Sequence, residues 1–161
     1  KLLFVAFQVF EHIPNPLEFL SLCKKYLKPN GIIYMEVPNI NDVLLSTYMI
    51  RAFSEFYYRE PHVYYYSEKT LIRLLKKAGF AGKTRTIQEY TLFNHVNWLL
   101  SEKPQSSQAD GYNIKWANSN MDRKNKVLAK WFYKINVEYQ NLLESYGLGE
   151  HICYFGRNTS K

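Results

Sequence analysis

Cysteine is scarce in this chain. There are two, Cys23 and Cys153, and they make neither a metal-binding spacing nor a disulfide framework. Both read as small buried residues in a reducing, cytoplasmic setting. Glycine is equally sparse. The seven glycines mostly close helices and turns, so the sequence holds no P-loop, no other glycine-rich phosphate loop and no Gly-x-Ser-x-Gly elbow. No apolar run approaches the length of a membrane span, and no signal peptide is visible. The net charge of +7 has no dense Lys/Arg block behind it. The basic residues are scattered along helices, which reads as a solvated surface and not as a nucleic-acid patch. The four histidines, His12, His62, His95 and His151, show no zinc spacing, so no metal is expected. Internal repeats and low-complexity tracts are absent.

What is present is a globular composition. Apolar residues make up 47% of the 161 residues, enough for one domain with a real core and too short for two. Fourteen Tyr, ten Phe and three Trp imply a large aromatic surface in the core, at a pocket, or both. The organising stretch runs from Lys1 to Val37. An apolar run ends abruptly at Glu11-His12, a helix follows, and a second apolar run covers Ile32 to Val37. This is strand, helix, strand. The first strand is apolar on both faces as far as Phe7, the pattern of a strand inside a covered parallel sheet. Such sheets bind ligands beyond the carboxyl ends of their strands, which is where Glu11 and His12 fall. The chain does not begin with Met and opens inside that strand, so an upstream segment is expected to supply the strand's other neighbour.

Further along, Asn15-Pro16 opens the first helix, with Leu17, Leu20, Tyr26 and Leu27 facing inward and Pro29-Asn30-Gly31 ending it. Asp42 to Phe56 reads as one helix or two short ones. Phe56 to Tyr66 is too aromatic for a solvated loop and must pack on the domain or cover a ligand. Ser67 caps a helix with Leu71, Leu74, Leu75 and Ala78 on its buried stripe, closed by Gly79. A strand is expected over about 83–90, a short helix over 91–100, and loop over 102–120. Asp122 then caps a long helix whose apolar face is Leu128, Trp131, Ile135, Tyr139, Leu142 and Tyr146. A last strand covers His151 to Phe155.

Glu11 and His12 are the best chemical candidates. A histidine beside a carboxylate can act as a general base near neutral pH; equally, the histidine can bond a loop carbonyl and the acid serve as a cap. His62, inside the tyrosine cluster, can hold a substrate hydroxyl, phosphate or carboxylate, or simply pack. Asn94-His95, at the start of a short helix, carries the same two readings.

Phe7 to Pro16, Leu27-Lys28-Pro29-Asn30-Gly31 and Glu36-Val37-Pro38-Asn39 together resemble the second half of class I S-adenosylmethionine-dependent methyltransferases. His62 with Tyr65-Tyr66-Ser67, then Leu71, Leu74-Leu75 and Ala78-Gly79-Phe80, continues the likeness. Gln88-Glu89-Tyr90, Asn94-His95, Trp98-Leu99 and Lys103-Pro104 look like a bacterial subgroup associated with sugars and surface polysaccharides. The resemblance implies an α/β Rossmann-like sheet of seven strands, the last antiparallel, of which this chain holds strands four to seven as one incomplete domain. Strand four would be Lys1 to Phe10. The implied domain carries an aromatic, lid-like insertion over about 40–66 and a helical insertion over about 91–146. The implied cofactor is S-adenosyl-L-methionine, touched by Gln8, Phe10 and Glu11. The family's glycine-rich loop and ribose-binding acid, after strands one and two, are not in this sequence, so the piece alone is expected to bind cofactor weakly or not at all. Similarity to sugar C-methyltransferases implies His12 as base, with Glu11 orienting it or contacting a substrate hydroxyl. His62, Tyr65, Tyr66, Asn94 and His95 would meet a small-molecule or glycan-linked acceptor. The alternative is a non-catalytic remnant that binds protein partners or itself through the open edge of strand four.

Overall fold

The structure, a computed structural model, describes residues 2–113 and 123–159. Four strands form one sheet: β1 (Leu3–Phe7), β2 (Ile32–Pro38), β3 (Phe80–Ile87) and β4 (His151–Asn158). Their order is β1-β2-β4-β3. β1 and β2 are parallel, with Leu3 opposite Ile32 and Phe7 opposite Glu36. β4 runs antiparallel to both of its neighbours, so Glu36 faces Cys153, Pro38 faces His151, and Ile87 also faces His151. A parallel pair needs a crossover, and α1 (Pro16–Tyr26) supplies it.

α1 begins with Pro16 at its first position as expected, but Asn15 makes no side-chain cap. Its buried line is Leu20, Cys23 and, just beyond, Leu27. Leu17 and Tyr26 point outward instead, because a helix face 3.6 residues per turn cannot bury both them and Cys23 against one sheet. The segment after β2 resolves into two short helices, α2 (Val43–Ser46) and α3 (Arg51–Tyr57). α4 (Glu68–Lys77) has a reciprocal Ser67–Thr70 capping box and buries Leu71 and Leu75. Gly79 ends it at φ +83°, a backbone shape that suits glycine. Leu20, Cys23, Leu71 and Leu75 pack with Ile33, Met35, Val37, Ile152 and Tyr154 into the main core. A second core joins Val43, Leu44, Phe53, Trp98 and Leu143, from α2, α3, α5 (Leu92–Ser101) and α7 (Arg123–Ser145).

Several sequence expectations change here. β1 ends at Phe7 rather than at Phe10, which begins a single 3-10 turn, Phe10–His12. β1 is not buried on both faces. Ala6 is buried, while Leu3 and Phe7 are 54% and 57% exposed. Among the described residues β1 pairs with β2 alone, so it is an edge strand here. β3 starts at Phe80 and stops at Ile87, earlier than the Lys83–Tyr90 expectation, because Phe80 is itself a core residue opposite Asn158. A short helix, α6 (Gln108–Tyr112), stands inside the expected loop. In α7 the inward line is Asn136, Tyr139 and Leu143, while Leu128, Trp131, Leu142 and Tyr146 are exposed. Asn136 accepts a hydrogen bond from the Leu92 backbone N–H, so a polar residue marks the packed face and the apolar spacing reads the wrong side. The Asp122 cap lies outside the described residues.

Among the described residues no helix is long and apolar enough to cross a membrane. Removing the capping hydroxyl with Ser67→Ala is expected to cost about 1 kcal/mol of stability, read as a lower urea midpoint at unchanged slope.

Candidate functional site

A cavity of about 1080 Å³ opens where the carboxyl ends of β1 and β2 meet the first residues of β4. Its lining includes Gln8, Glu11, His12, Glu36, Asp42 and His62. Asn94 and His95 line it from α5.

The 3-10 turn after β1 sets Glu11 and His12. Gln8, at φ 51°, turns the chain out of the strand, and its backbone N–H still donates to the Glu36 carbonyl at 3.0 Å. Glu11 is wholly buried. Its backbone carbonyl accepts from the Val63 and Tyr64 N–H groups at 2.9 and 3.1 Å, which ties the tyrosine-rich segment to this turn. Its two carboxyl oxygens find no hydrogen-bond donor among the described residues. Burial raises its pKa, with the His12 ring pulling the other way. His12 Nε2 lies 3.6 Å from Glu11 Oε1. Its Nδ1 lies 3.2 Å from the Pro61 carbonyl, an acceptor only, so Nδ1 carries the proton and Nε2 keeps its lone pair when the ring is neutral. His62 packs edge-on against His12 with ring centroids 4.8 Å apart. Burial lowers the His62 pKa, helped by His12 and Arg59.

A second group lies at the other strand ends, and the sequence pattern did not single it out. His151 Nδ1 sits 3.7 Å from Glu36 Oε1 and 3.8 Å from Glu150 Oε1. Gln8 donates its amide to Glu36 Oε1 at 3.2 Å. Glu150 Oε1 accepts the Glu89 backbone N–H at 2.9 Å, and Oε2 is buried without a donor. Burial lifts the Glu150 carboxyl to about 8, with the charges of Asp42 and Glu89 adding to it. Burial lifts Asp42 to about 7, although its side chain accepts the Leu44 N–H as the cap of α2. The residues come from distant parts of the chain, and only the pairing of β2 with β4 joins them. The one signal available beforehand was Glu36 within the Glu-Val-Pro-Asn motif.

The other expected site residues divide. Asn94 is buried and donates to Gln105 at 3.1 Å. His95 lines the cavity with both nitrogens engaged, 2.7 Å from the Tyr139 hydroxyl and 3.3 Å from Gln88 Nε2. Burial drops its pKa to about 4, so it stays neutral. Phe10 and Tyr66 stack on each other at 5.4 Å inside the main core, and Tyr65 bonds the Tyr57 carbonyl and the Arg59 N–H. None of these three is in the cavity wall. Among the described residues two groups can offer a metal three ligands within 4.8 Å of one another: Glu11, His12 and His62, and Glu89, Glu150 and His151.

Residues 3–84 match a family model described as a methyltransferase domain, over half of the chain. The chain belongs to this methyltransferase domain family. A search among curated proteins gave no match. Among solved structures, a SAM-dependent methyltransferase from Archaeoglobus fulgidus is similar at 17% identity and a TM-score of 0.50. The likeness covers 97% of this chain and 58% of that one. A second, named a SAM-dependent methyltransferase and possible histamine N-methyltransferase, comes from Thermotoga maritima. It is 18% identical at a TM-score of 0.51, covering 98% and 55%. A third is phosphoethanolamine N-methyltransferase 2 of Haemonchus contortus, complexed with phosphomonomethylethanolamine and S-adenosylhomocysteine. It is 13% identical at a TM-score of 0.50, covering 100% and 34%. This methyltransferase-domain chain thus spans 58% or less of these structures' own length, and at such identities they establish the α/β fold.

Carboxyls raised by burial stabilise the fold only while protonated. The contribution of Glu150 is therefore full below about pH 4.5 and is lost as pH rises through about 8. Glu150→Gln keeps the acceptor for Glu89 and removes the titration. Its thermal midpoint relative to the parent is expected to rise from pH 5 to pH 8.5, followed by circular dichroism.

Proposed function

We propose that this chain is the carboxyl-terminal part of an S-adenosylmethionine-dependent methyltransferase, holding strands four to seven of a seven-stranded sheet. The order β1-β2-β4-β3 with an antiparallel β4 supports this, since β1, β2, β3 and β4 then correspond to strands four, five, six and seven. The observation that carries the reading is the cavity at the carboxyl ends of β1 and β2, with Glu11 and His12 in its wall. Open α/β sheets bind their ligands there. The residues present fit a cationic cofactor on one side. Glu11 offers two buried oxygens with no donor, which suit a sulfonium or ammonium charge, and Gln8 stands beside it. When bound, S-adenosylmethionine supplies an electrophilic methyl group.

His12 acts as the base toward the acceptor. The Pro61 carbonyl fixes its tautomer, and the Glu11 carboxyl beside Nε2 stabilises the ring once it is charged. The acceptor, a small molecule or a glycan-linked group of a bacterial cell, enters past His62 and Asn94. The aromatic segment 40–66 serves as a cover that excludes water, and segment 91–146 as a helical insertion forming the far wall. The protein works in the reducing cytoplasm, with Cys23 and Cys153 as free thiols.

The test is calorimetry with S-adenosylmethionine on this chain and on a version extended upstream by roughly one hundred residues, the scale of a domain. Tight binding is expected for the long form alone, and equal binding by the short form contradicts the reading. In the long form, His12→Gln is expected to lower kcat by about 10²–10⁴-fold while leaving cofactor affinity nearly unchanged.

One observation favours a second reading, a non-catalytic module that pairs with itself or another chain. β1 presents Leu3, Val5 and Phe7 to solvent on an edge strand, which invites pairing. Under this reading Val5→Lys turns a concentration-dependent dimer into a monomer in sedimentation runs. A parent chain that is monomeric at every concentration removes self-pairing.

A further inference from the structure

The cavity is acidic in a basic protein. Among the described residues its wall holds six carboxyls, Glu11, Glu36, Asp42, Glu60, Glu89 and Glu150, out of fourteen acidic residues in the chain. Among the described lysines and arginines, Arg59 alone lines it. The concentration is tightest where the strands converge. Glu36 and Glu150 each stand within 3.8 Å of His151 Nδ1, and Glu89 closes the group. Glu150 Oε2 and His151 Nδ1 are both buried with no hydrogen-bond partner among the described residues. Burial lowers the His151 pKa, against the pull of Glu36. Among the described residues Arg59 is the one lysine or arginine in the cavity wall, and it sits over Phe56; burying an ionised carboxyl without a paired cation is costly.

The rest of the wall identifies the cation. Tyr90 and Tyr112 stack at 4.4 Å beside Glu150, whose charge acts on both rings, while Glu89 acts on Tyr112. Phe53, Phe56, Tyr57 and Trp98 continue the lining. Arg59 already sits 5.2 Å over the Phe56 ring, so the wall binds one organic cation of its own. Carboxyls among aromatic faces suit an alkylammonium group, and a cavity of about 1080 Å³ has room for an organic molecule around it.

We propose that the corner formed by Glu36, Glu89, Glu150 and His151, beside the Tyr90–Tyr112 pair, receives an organic ammonium ion, so that the methyl acceptor is an amine. The second half of this statement rests on the methyl-transfer reading; the first does not. As an acceptor, the ammonium gives one proton to His12 Nε2. Its nitrogen lone pair then bonds the methyl carbon of a sulfonium donor, the carbon–sulfur bond breaks with its electron pair left on sulfur, and an N-methylammonium results.

The experiment titrates the 161-residue chain with choline and with dimethylbutanol, its uncharged carbon isostere, by calorimetry and without any methyl donor. Choline is expected to bind about tenfold more tightly, the scale of one desolvated cation–aromatic contact. Glu150→Gln, and Glu89→Gln at an exposed position where folding is not at stake, are each expected to weaken choline several-fold and to leave dimethylbutanol unchanged. Equal binding of the two probes by folded protein overturns the proposal, as does binding of neither. Tight binding of Mn²⁺ alone, lost in Glu150→Gln while choline fails to bind, also overturns it, in favour of a metal. Because no donor is present, failure here leaves the methyl-transfer reading standing, and ammonium binding without turnover in the extended form separates the two the other way.

Discussion

The pairing of β4 between β2 and β3 is the constraint on which the molecule depends. β4 lies more than a hundred residues from β2 in sequence, yet it makes the centre of the sheet. Its apolar face, Ile152 and Tyr154, packs on Ile33, Met35 and Val37. Its register then sets the chemistry. With Cys153 opposite Glu36 and His151 opposite Pro38, Glu150 and His151 arrive beside Glu36 at the rim where β1 and β2 end. A slip of one residue turns every side chain of a strand to the other face, and the acidic corner is lost with it. The core and the site are thus two outcomes of one alignment.

The same alignment explains why so many ionisable groups in this methyltransferase domain are under tension. Short strands end at a common rim, and α2, α3 and α5 close over them through Leu44, Phe53 and Trp98. Water is excluded from Asp42, Glu11 and Glu150 as that second core forms. Their raised pKa values have burial as the first cause in every case. Structural carboxyls usually find donors. Among the described residues Glu11 does not, and Glu150 finds one for Oε1 alone. Such groups are characteristic of sites that meet a ligand.

Much of the fold was legible in the sequence because the relevant signals are local. The β1–α1–β2 unit shows itself in two apolar runs around Pro16, and the α4 cap in Ser67 and Thr70. The burial of Cys23 and Cys153 follows from ordinary preferences, whereas the sequence leaves one helix or two open over 42–56 and the structure has two. Signals failed where tertiary context decides. The double-sided apolar pattern of β1 marks it as a covered strand, but cover has to come from neighbours, and here only Ala6 and Phe4 find them. In α7 the exposed apolar residues outnumber the packed ones, so periodicity points away from Asn136, whose amide holds the start of α5. For the site, the Glu11–His12 turn was readable as chemistry at a strand end. The acidic corner was not, because Glu36, Glu89, Glu150 and His151 are united by strand register alone. Phe10, Tyr65 and Tyr66 sat within a recognisable motif, and the structure uses them to pack and to hold the turn.

The central claim is that β4 delivers a buried, incompletely paired carboxyl to the cavity rim. Its most direct measurement is a nuclear magnetic resonance titration of the glutamate side-chain carboxyl carbons, with Glu150 assigned by its Gln variant. The account predicts a midpoint near 8 for Glu150. A midpoint at the ordinary 4.5 means an open, solvated carboxyl, and contradicts it.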